Sequence, residues 1–184
     1  MSQDVVDLIL QDHRELERLF DLLLTQPDTR PTLVPVMTAL LTAHSRAEES
    51  EVYPAAREAG DAEDVEHSQR EHLEAEILAE KVAATDPAAP EFEKLLRSLI
   101  DGVNHHVGEE EKTVLPSMRQ HIDAQRRIQL GEDFLAARGR HLGEQPGEAT
   151  KASLEQQAVN AGIAGASSMS KTTLKTALED EAEL

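Results

Sequence analysis

Apolar residues recur at helical spacing along most of the chain, and the alternation typical of strands is nearly absent. The pattern predicts four long amphipathic helices, over about residues 4–25, 32–54, 62–84 and 91–119, and a short fifth helix over about 124–137. Four long helices joined by short connections are typical of a bundle in which successive helices run up, down, up and down. We therefore predict an all-α fold built on an up-down-up-down four-helix bundle.

Gly and Pro indicate a boundary after the predicted bundle. We assign residues 1–142 to the bundle, "GEQPGEA" at 143–149 to a linker, and residues 150–184 to a small helical appendage. The appendage has two predicted helices, over about 151–160 and 170–183, around "GIAGASSM". Its final stretch, "ALEDEAEL", is predicted to be partly disordered.

Composition limits what the chain can bind. Apolar residues make up 39% and aromatic residues 2%, so we expect a core of Leu, Val, Ala and Ile. There are 36 acidic against 18 basic residues, and the formal charge is −18. This charge repels nucleic-acid phosphates and anionic membranes, whereas it concentrates cations near the surface.

The chain has no cysteine, which excludes disulfides and thiolate-ligated metals. Any metal must therefore bind to His and carboxylate side chains. The start, "MSQDVVDLIL", lacks the basic region of a signal peptide, and no apolar run is long enough to span a bilayer. We expect no membrane segment and a cytoplasmic location.

One eleven-residue pattern occurs twice, as "HSRAEESEVYP" at 44–54 and "HVGEEEKTVLP" at 106–116. The repeat aligns His44 with His106 and Glu48 with Glu110. In each pair the Glu follows the His by four residues, so both side chains lie on one helix face. His106 continues the apolar stripe of the fourth predicted helix, whereas the neighbouring His105 follows a polar face.

The first and third predicted helices each supply another inward histidine. His13 lies on the apolar stripe of the first helix. On the third helix His72 shares a stripe with Val65 and Ala79, and we favour it over His67.

Six side chains are thus predicted to converge in the core: His13, His44, Glu48, His72, His106 and Glu110. Burying the two carboxylates unpaired would cost several kcal/mol, which metal ions would offset. Six ligands are too many for one tetrahedral zinc and suit two octahedral metals with bridging glutamates. Iron fits such nitrogen and oxygen donors, with manganese as the main competitor, and an open position would accept O2, H2O2 or NO.

The repeat, together with "DH" at 12–13 and "EH" at 71–72, resembles the hemerythrin-like, or HHE cation-binding, domain over about residues 4–119. This resemblance implies a non-haem diiron centre on the six residues above. The best-known hemerythrins carry a second His on the third helix, where this chain has Ser68 and Glu76 four residues either side of His72. Glu76, water or another group would then replace it, which favours peroxide or NO chemistry, or sensing, over simple oxygen carriage.

We therefore expect a diiron protein that binds or processes a small oxidant, with slow peroxide decomposition as its candidate enzyme activity. An iron-binding, iron-sensing or storage module that acts through a protein partner is the alternative, and a metal-free helical scaffold is a third hypothesis. Tyr53, beside Pro54, is expected to pack at the end of the bundle rather than in the centre.

The appendage resembles the N-terminal segment of Rho termination factor and SAP domains, through Leu154, Ala158, "GI-G-S-MSK" at 162–171, Leu174 and Leu178. Such modules often bind nucleic acid. From Gln145 onward, however, six acidic residues outnumber three lysines, so we expect either an appendage without a binding role or a contact with a protein partner instead of nucleic-acid binding.

Overall fold

A computed structural model of the chain describes residues 3–182, and within that range the chain forms helices and turns without a β-strand. The α-helices of these residues are α1 (Val5–Thr25), α2 (Arg30–Ala47), α3 (Tyr53–Ala59), α4 (Ala62–Ala84), α5 (Phe92–Glu110), α6 (Val114–His121), α7 (Ala124–His141), α8 (Lys151–Asn160) and α9 (Lys171–Ala182). The all-α prediction is confirmed. None of these helices is both long and apolar enough to cross a membrane.

Four helices surround the interior: α1 contacts α2 and α5, and α4 contacts the same two helices. These are the helices that the apolar stripes predicted. The alternation of their directions stays a prediction. Side chains of the residues before α1 and α7 fix where those helices begin, because Asp4 accepts a hydrogen bond from the Val6 amide and Asp123 accepts one from the Arg126 amide.

The second predicted helix is interrupted before the first proline of the repeat. Residues Glu48–Val52 form a π-helical turn, in which the Tyr53 amide donates to the Glu48 carbonyl. Proline has no amide hydrogen, and its ring crowds the carbonyl four residues earlier, which for Pro54 is that of Ser50. The wider turn accommodates Pro54 without ending the helical path, which continues as α3.

The prediction of one continuous helix over about residues 91–119 is wrong. Helix α5 ends at Glu110, and after a turn the chain becomes helical again at Val114 as α6. The same proline effect explains the break, because Pro116 crowds the carbonyl of Lys112 inside this turn. Each copy of the repeat therefore deforms its helix just after the inward Glu.

Two apolar clusters lie on either side of a polar layer. Along α1 the chain passes from Ile9 in one cluster, through His13, to Leu16 in the other. His44 in α2 likewise lies between Leu41 and Ala47, which belong to different clusters. The inward histidines thus form a polar layer between the two apolar clusters.

The fifth helix is longer than predicted, because α7 continues through polar residues to His141. It packs against α1 and α2. Phe134 meets the His44 ring edge-on, with ring centroids 6.0 Å apart, and Arg138 contacts Asp12. This helix therefore borders the polar layer directly.

The C-terminal helices α8 and α9 pack against α4. Leu73 of α4 joins Leu154, Leu174 and Leu178 in a third apolar cluster. The predicted linker is attached to α4 as well, since the Gly147 amide donates to Glu76 at 3.1 Å. The stretch predicted to be disordered is helical as far as Ala182, and its last two residues lie outside the described range.

Replacing Leu99 with Ala should lower the free energy of unfolding by about 2–5 kcal/mol, because Leu99 is fully buried and the residual cavity is not refilled. The matched control is Leu135→Ala on α7, where the side chain is 43% exposed and we expect a change within about 0.5 kcal/mol. Urea unfolding of the two variants measures the difference. Equal losses would contradict the placement of Leu99 in the core.

Candidate metal centre

The structure brings all six predicted side chains into the polar layer, and all six are buried. His44 and His72, from α2 and α4, approach the same carboxylate oxygen. Their Nε2 atoms each lie 3.3 Å from Glu48 Oε2. Glu48 is placed between these helices because it begins the π-helical turn.

Two groups of donor atoms share Glu48. His13, His44 and Glu48 form one group, and Glu48, His72 and His106 form the other, with the donor atoms of each group within 4.8 Å of one another. Glu110 also faces both groups, since its Oε2 lies 3.4 Å from His13 Nε2 and 4.0 Å from His106 Nε2. The arrangement offers two adjacent cation positions with a carboxylate on either side.

The donor set fits a metal ion. Both carboxylate oxygens of Glu48 and of Glu110, and the Nε2 atoms of His13 and His44, are buried without a hydrogen-bond partner among residues 3–182. Leaving such groups unpaired is costly, whereas cations would satisfy them. Imidazole nitrogens with carboxylate oxygens suit iron and manganese.

Without a metal, protons supply the positive charge that this layer requires. Burial lowers the pKa of His13, but the close contact with the negatively charged Glu110 outweighs burial and raises that pKa to about 9. Burial opposes protonation of His72 too, yet contacts with Glu48 and Glu49 raise its pKa to about 10. Burial raises the pKa of Glu110, but His13 and His106 more than offset this and lower it to about 2. Glu110 therefore stays anionic and attracts either protons or metal ions.

Each inward histidine has a carboxylate behind its outer ring nitrogen. Two of these contacts are close: Glu111 Oε1 lies 3.0 Å from His13 Nδ1, and Glu71 Oε2 lies 2.9 Å from His106 Nδ1. A carboxylate at Nδ1 fixes the ring orientation and leaves Nε2 as the inward donor, which is the arrangement common around metal-bound histidines.

The other two contacts are longer. Asp12 Oδ2 lies 3.4 Å from His44 Nδ1, and Glu49 Oε1 lies 3.5 Å from His72 Nδ1. Arginines hold these acids in turn: Arg138 Nε contacts Asp12 at 2.7 Å, and Arg46 Nη1 donates to Glu49 at 3.0 Å. Burial raises the pKa of Glu49, but the Arg46 charge outweighs it, and the pKa falls to about 2.

Residues 4–118 match the family described as "Hemerythrin HHE cation binding domain". This chain belongs to that family. The predicted resemblance is thus confirmed for the helical core, and with it the expectation that the protein binds metal cations. The match ends before the C-terminal helices, whose resemblance to Rho and SAP segments stays a prediction.

A curated relative is a protein of Nostoc sp. (strain PCC 7120 / SAG 25.82 / UTEX 2576) named "DNA nickase". It is 31% identical to this chain over 155 residues, which cover 82% of this chain and 44% of the relative. The chain therefore spans less than half the length of that relative. No solved structure matches the chain.

The four supporting carboxylates of this hemerythrin-family centre were not singled out from the sequence. They are Asp12, Glu49, Glu71 and Glu111. Each is the immediate sequence neighbour of a predicted inward residue, and that adjacency is the signal that could have identified them. Each acid supports a histidine on another helix, which periodicity along one helix does not reveal.

Tyr53 lies in the centre, and the expectation that it packs at the bundle end is wrong. Its hydroxyl is 3.0 Å from His72 Nε2, and the residue is fully buried. The π-helical turn explains the difference: it adds a residue to the turn, so that Tyr53 follows Glu48 on the same face. Burial, with the charges of Glu110 and Glu48, raises the pKa of Tyr53 well above its ordinary value.

Glu76 does not occupy the position left by the missing second histidine of α4. Its Oε1 accepts from Arg46 at 2.5 Å and from the Gly147 amide at 3.1 Å, and its Oε2 accepts from Gln157 at 3.2 Å. These contacts hold Glu76 toward the C-terminal segment. Tyr53 is instead the additional oxygen that faces His72.

A small cavity adjoins the inward ring nitrogens. It is lined by His44, His72 and His106 on one side and by apolar residues that include Leu16 and Val103 on the other. The space is about that of one water molecule.

Asp12→Asn should weaken metal binding about 10- to 100-fold, because it removes the charge behind His44 while keeping the shape of the side chain. Asp21→Asn, the same exchange at an exposed position of α1, is the matched control. Competition with a chelator measures both affinities. Equal affinities in the two variants would show that Asp12 does not support the centre.

Proposed function

We propose that this hemerythrin-family chain holds two iron ions and binds or processes a small oxidant, namely O2, H2O2 or NO. The observation that carries the proposal is the pair of histidine and carboxylate groups that share Glu48. His13 and His44 would hold one ion, His72 and His106 the other, and Glu48 and Glu110 would contact both. Manganese suits the same donors and is the less favoured occupant.

Bound ferrous ions would supply the electrons that such an oxidant accepts. The chain's own residues would provide the rest of the site. The Nδ1-bound carboxylates keep the Nε2 atoms turned inward, and the apolar wall formed by Leu16, Leu41 and Val103 limits access by water. The small cavity would favour small molecules, since packed apolar side chains form its other wall.

The Tyr53 hydroxyl would give this centre a group that differs from a second histidine. It lies within hydrogen-bonding distance of His72 Nε2. Tyr53 would either supply an additional oxygen ligand to an ion held there or keep its proton and donate a hydrogen bond within the centre. Either role favours reaction with peroxide or NO over simple reversible carriage of oxygen.

A second candidate function is iron sensing through the C-terminal segment. One observation favours it: Gln157 and Asn160 of α8 are buried against Glu49, the acid that contacts His72. Gln157 Nε2 donates to Glu49 at 3.2 Å, and Asn160 Nδ2 donates to the Glu49 carbonyl at 2.9 Å. A change at His72 would therefore reach the docked segment and any protein partner that it contacts.

The name of the Nostoc relative makes DNA cleavage a third activity to weigh against oxidant processing and iron sensing. The charge of −18 opposes binding to a phosphate backbone, and the C-terminal stretch from Gln145 is itself acidic. The donor residues lie in the core rather than on a basic surface. We therefore favour a small oxidant over a nucleic acid.

The first test of the proposal uses two adjacent histidines. Wild-type protein reconstituted with iron and then passed through a chelating column should retain two irons per chain and absorb in the near ultraviolet. His106→Ala should lose most of this iron because it removes an inward donor. His105→Ala, whose side chain points outward and is 66% exposed, should retain it. Iron analysis and the absorption spectrum provide the readout.

Peroxide consumption by the same samples distinguishes the two candidate functions. Oxidant processing predicts turnover by wild type and His105→Ala but not by His106→Ala. Iron sensing predicts negligible turnover together with a large rise in melting temperature when iron binds. If wild type retained no metal, both functions would be excluded.

We expect the iron-loaded chain to leave supercoiled plasmid intact when catalase is present to remove stray peroxide. Electrostatic repulsion keeps the DNA away from the protein, and gel electrophoresis detects any nicked form. His106→Ala is the control for iron released into solution. Nicking by wild type that exceeds this control would contradict the exclusion of DNA as a substrate.

A further inference from the structure

Two further His–Glu pairs, besides the two that face the centre, meet at the outer side of α4 and α5. His67 and Glu71 lie four residues apart on α4, and His105 and Glu109 lie four residues apart on α5. Each pair has the same spacing as the inward pairs. The donor atoms of His67, His105 and Glu109 lie within 4.8 Å of one another.

Glu71 borders this outer cluster on the side that faces the core. Its Oε1 lies 3.5 Å from His67 Nε2 and 3.5 Å from His105 Nε2. Glu109 Oε2 lies 3.8 Å from His67 Nε2. Glu71 therefore adds a carboxylate oxygen close to both imidazoles of the cluster.

An unpartnered buried oxygen in this cluster requires positive charge nearby. The Glu71 side chain is only 10% exposed, and its Oε1 has no hydrogen-bond partner among residues 3–182. Its other oxygen is engaged by His106. A buried carboxylate oxygen that faces two imidazole nitrogens is satisfied either by a proton on an imidazole or by a shared metal ion.

The spacing suits a tetrahedral ion. Zinc binds nitrogen and oxygen ligands at about 2.0–2.2 Å, so ligands at tetrahedral angles lie about 3.3–3.6 Å apart. The contacts of 3.5, 3.5 and 3.8 Å are close to this range. Two carboxylates would also neutralise the charge of one divalent ion.

We propose that His67, Glu71, His105 and Glu109 form a peripheral site for one four-coordinate divalent transition-metal ion such as Zn²⁺. The site is separate from the buried centre and does not depend on which ion, if any, that centre holds. His67 and His105 are 47% and 66% exposed, so an ion can enter from solution without opening the core.

Glu71 connects the peripheral site to the buried centre. Its Oε2 accepts the contact from His106 Nδ1 at 2.9 Å, while its Oε1 faces the outer histidines. A cation on Oε1 withdraws charge from the carboxylate and makes Oε2 a weaker acceptor for His106. The outer ion would thereby lower the donor strength of His106 toward the centre.

Zinc titration of the full-length chain tests the site. Equilibrium dialysis against Zn²⁺ with metal analysis should give one zinc per chain more for wild type than for the double variant His67→Ala/His105→Ala. Because this is a difference, it holds whether the buried centre contains iron, zinc or nothing. Glu109→Gln should weaken the additional zinc at least about tenfold. His121→Ala, an exposed histidine outside the cluster, should bind as wild type does.

Equal zinc stoichiometry in wild type and the double variant would overturn the proposal, and so would an equal loss in His121→Ala. The iron-loaded protein gives a separate readout for the connection through Glu71. Zinc should shift the near-ultraviolet absorption of wild type without releasing iron, and it should leave the spectrum of the double variant unchanged. Identical responses of the two proteins would exclude the connection.

Discussion

The carboxylates of Glu48 and Glu110, which have no hydrogen-bond partner among residues 3–182, determine how the charged groups around them are arranged. Anions in a buried layer are tolerated only beside positive charge. The nearest shell is therefore imidazole, which can carry a proton or hold a metal. Outside it lies a shell of acids that orient the imidazoles, and beyond these lie Arg46 and Arg138. Alternating charge thus extends from the centre to the surface, and each shell compensates the one inside it.

The acids link the helices in a closed order. Asp12 of α1 supports a histidine of α2, and Glu49 after α2 supports one of α4. Glu71 of α4 supports one of α5, and Glu111 after α5 supports His13 of α1. Helix packing and the orientation of the histidine rings are therefore coupled. A helix that shifted would displace its own metal-facing side chain and also the acid that orients the histidine of the next helix. Metal binding should tighten the core of the bundle, because each of these four helices, with the residue that follows α2 or α5, contributes to both shells.

Periodicity was sufficient to find the inward residues, because an apolar stripe fixes which face of a helix is buried. The internal repeat added the choice of His106 over its neighbour. Neither signal describes how a helix accommodates proline. Pro54 produced a π-helical turn that brought Tyr53 inward, whereas Pro116 produced a break. The docking of α8 could not be predicted from the sequence either, since it depends on hydrogen bonds from buried amides such as that of Gln157 to acids distant in the chain.

The adjacent histidines at 105 and 106 show how one helix can serve two sites. A step of one residue turns the helix by about 100°, so two overlapping His–Glu pairs point in different directions. His106 and Glu110 face the core, while His105 and Glu109 face solvent. The same offset places Glu71 beside His72 on α4 but directs it toward α5. A second His–Glu pair, shifted by one residue along the same helix, therefore gives an outer cluster in addition to the inner centre, and Glu71 contacts both. In a chain of net charge −18, cations gather at the surface, and the outer cluster offers them exposed histidine side chains beside an acid that also contacts the core.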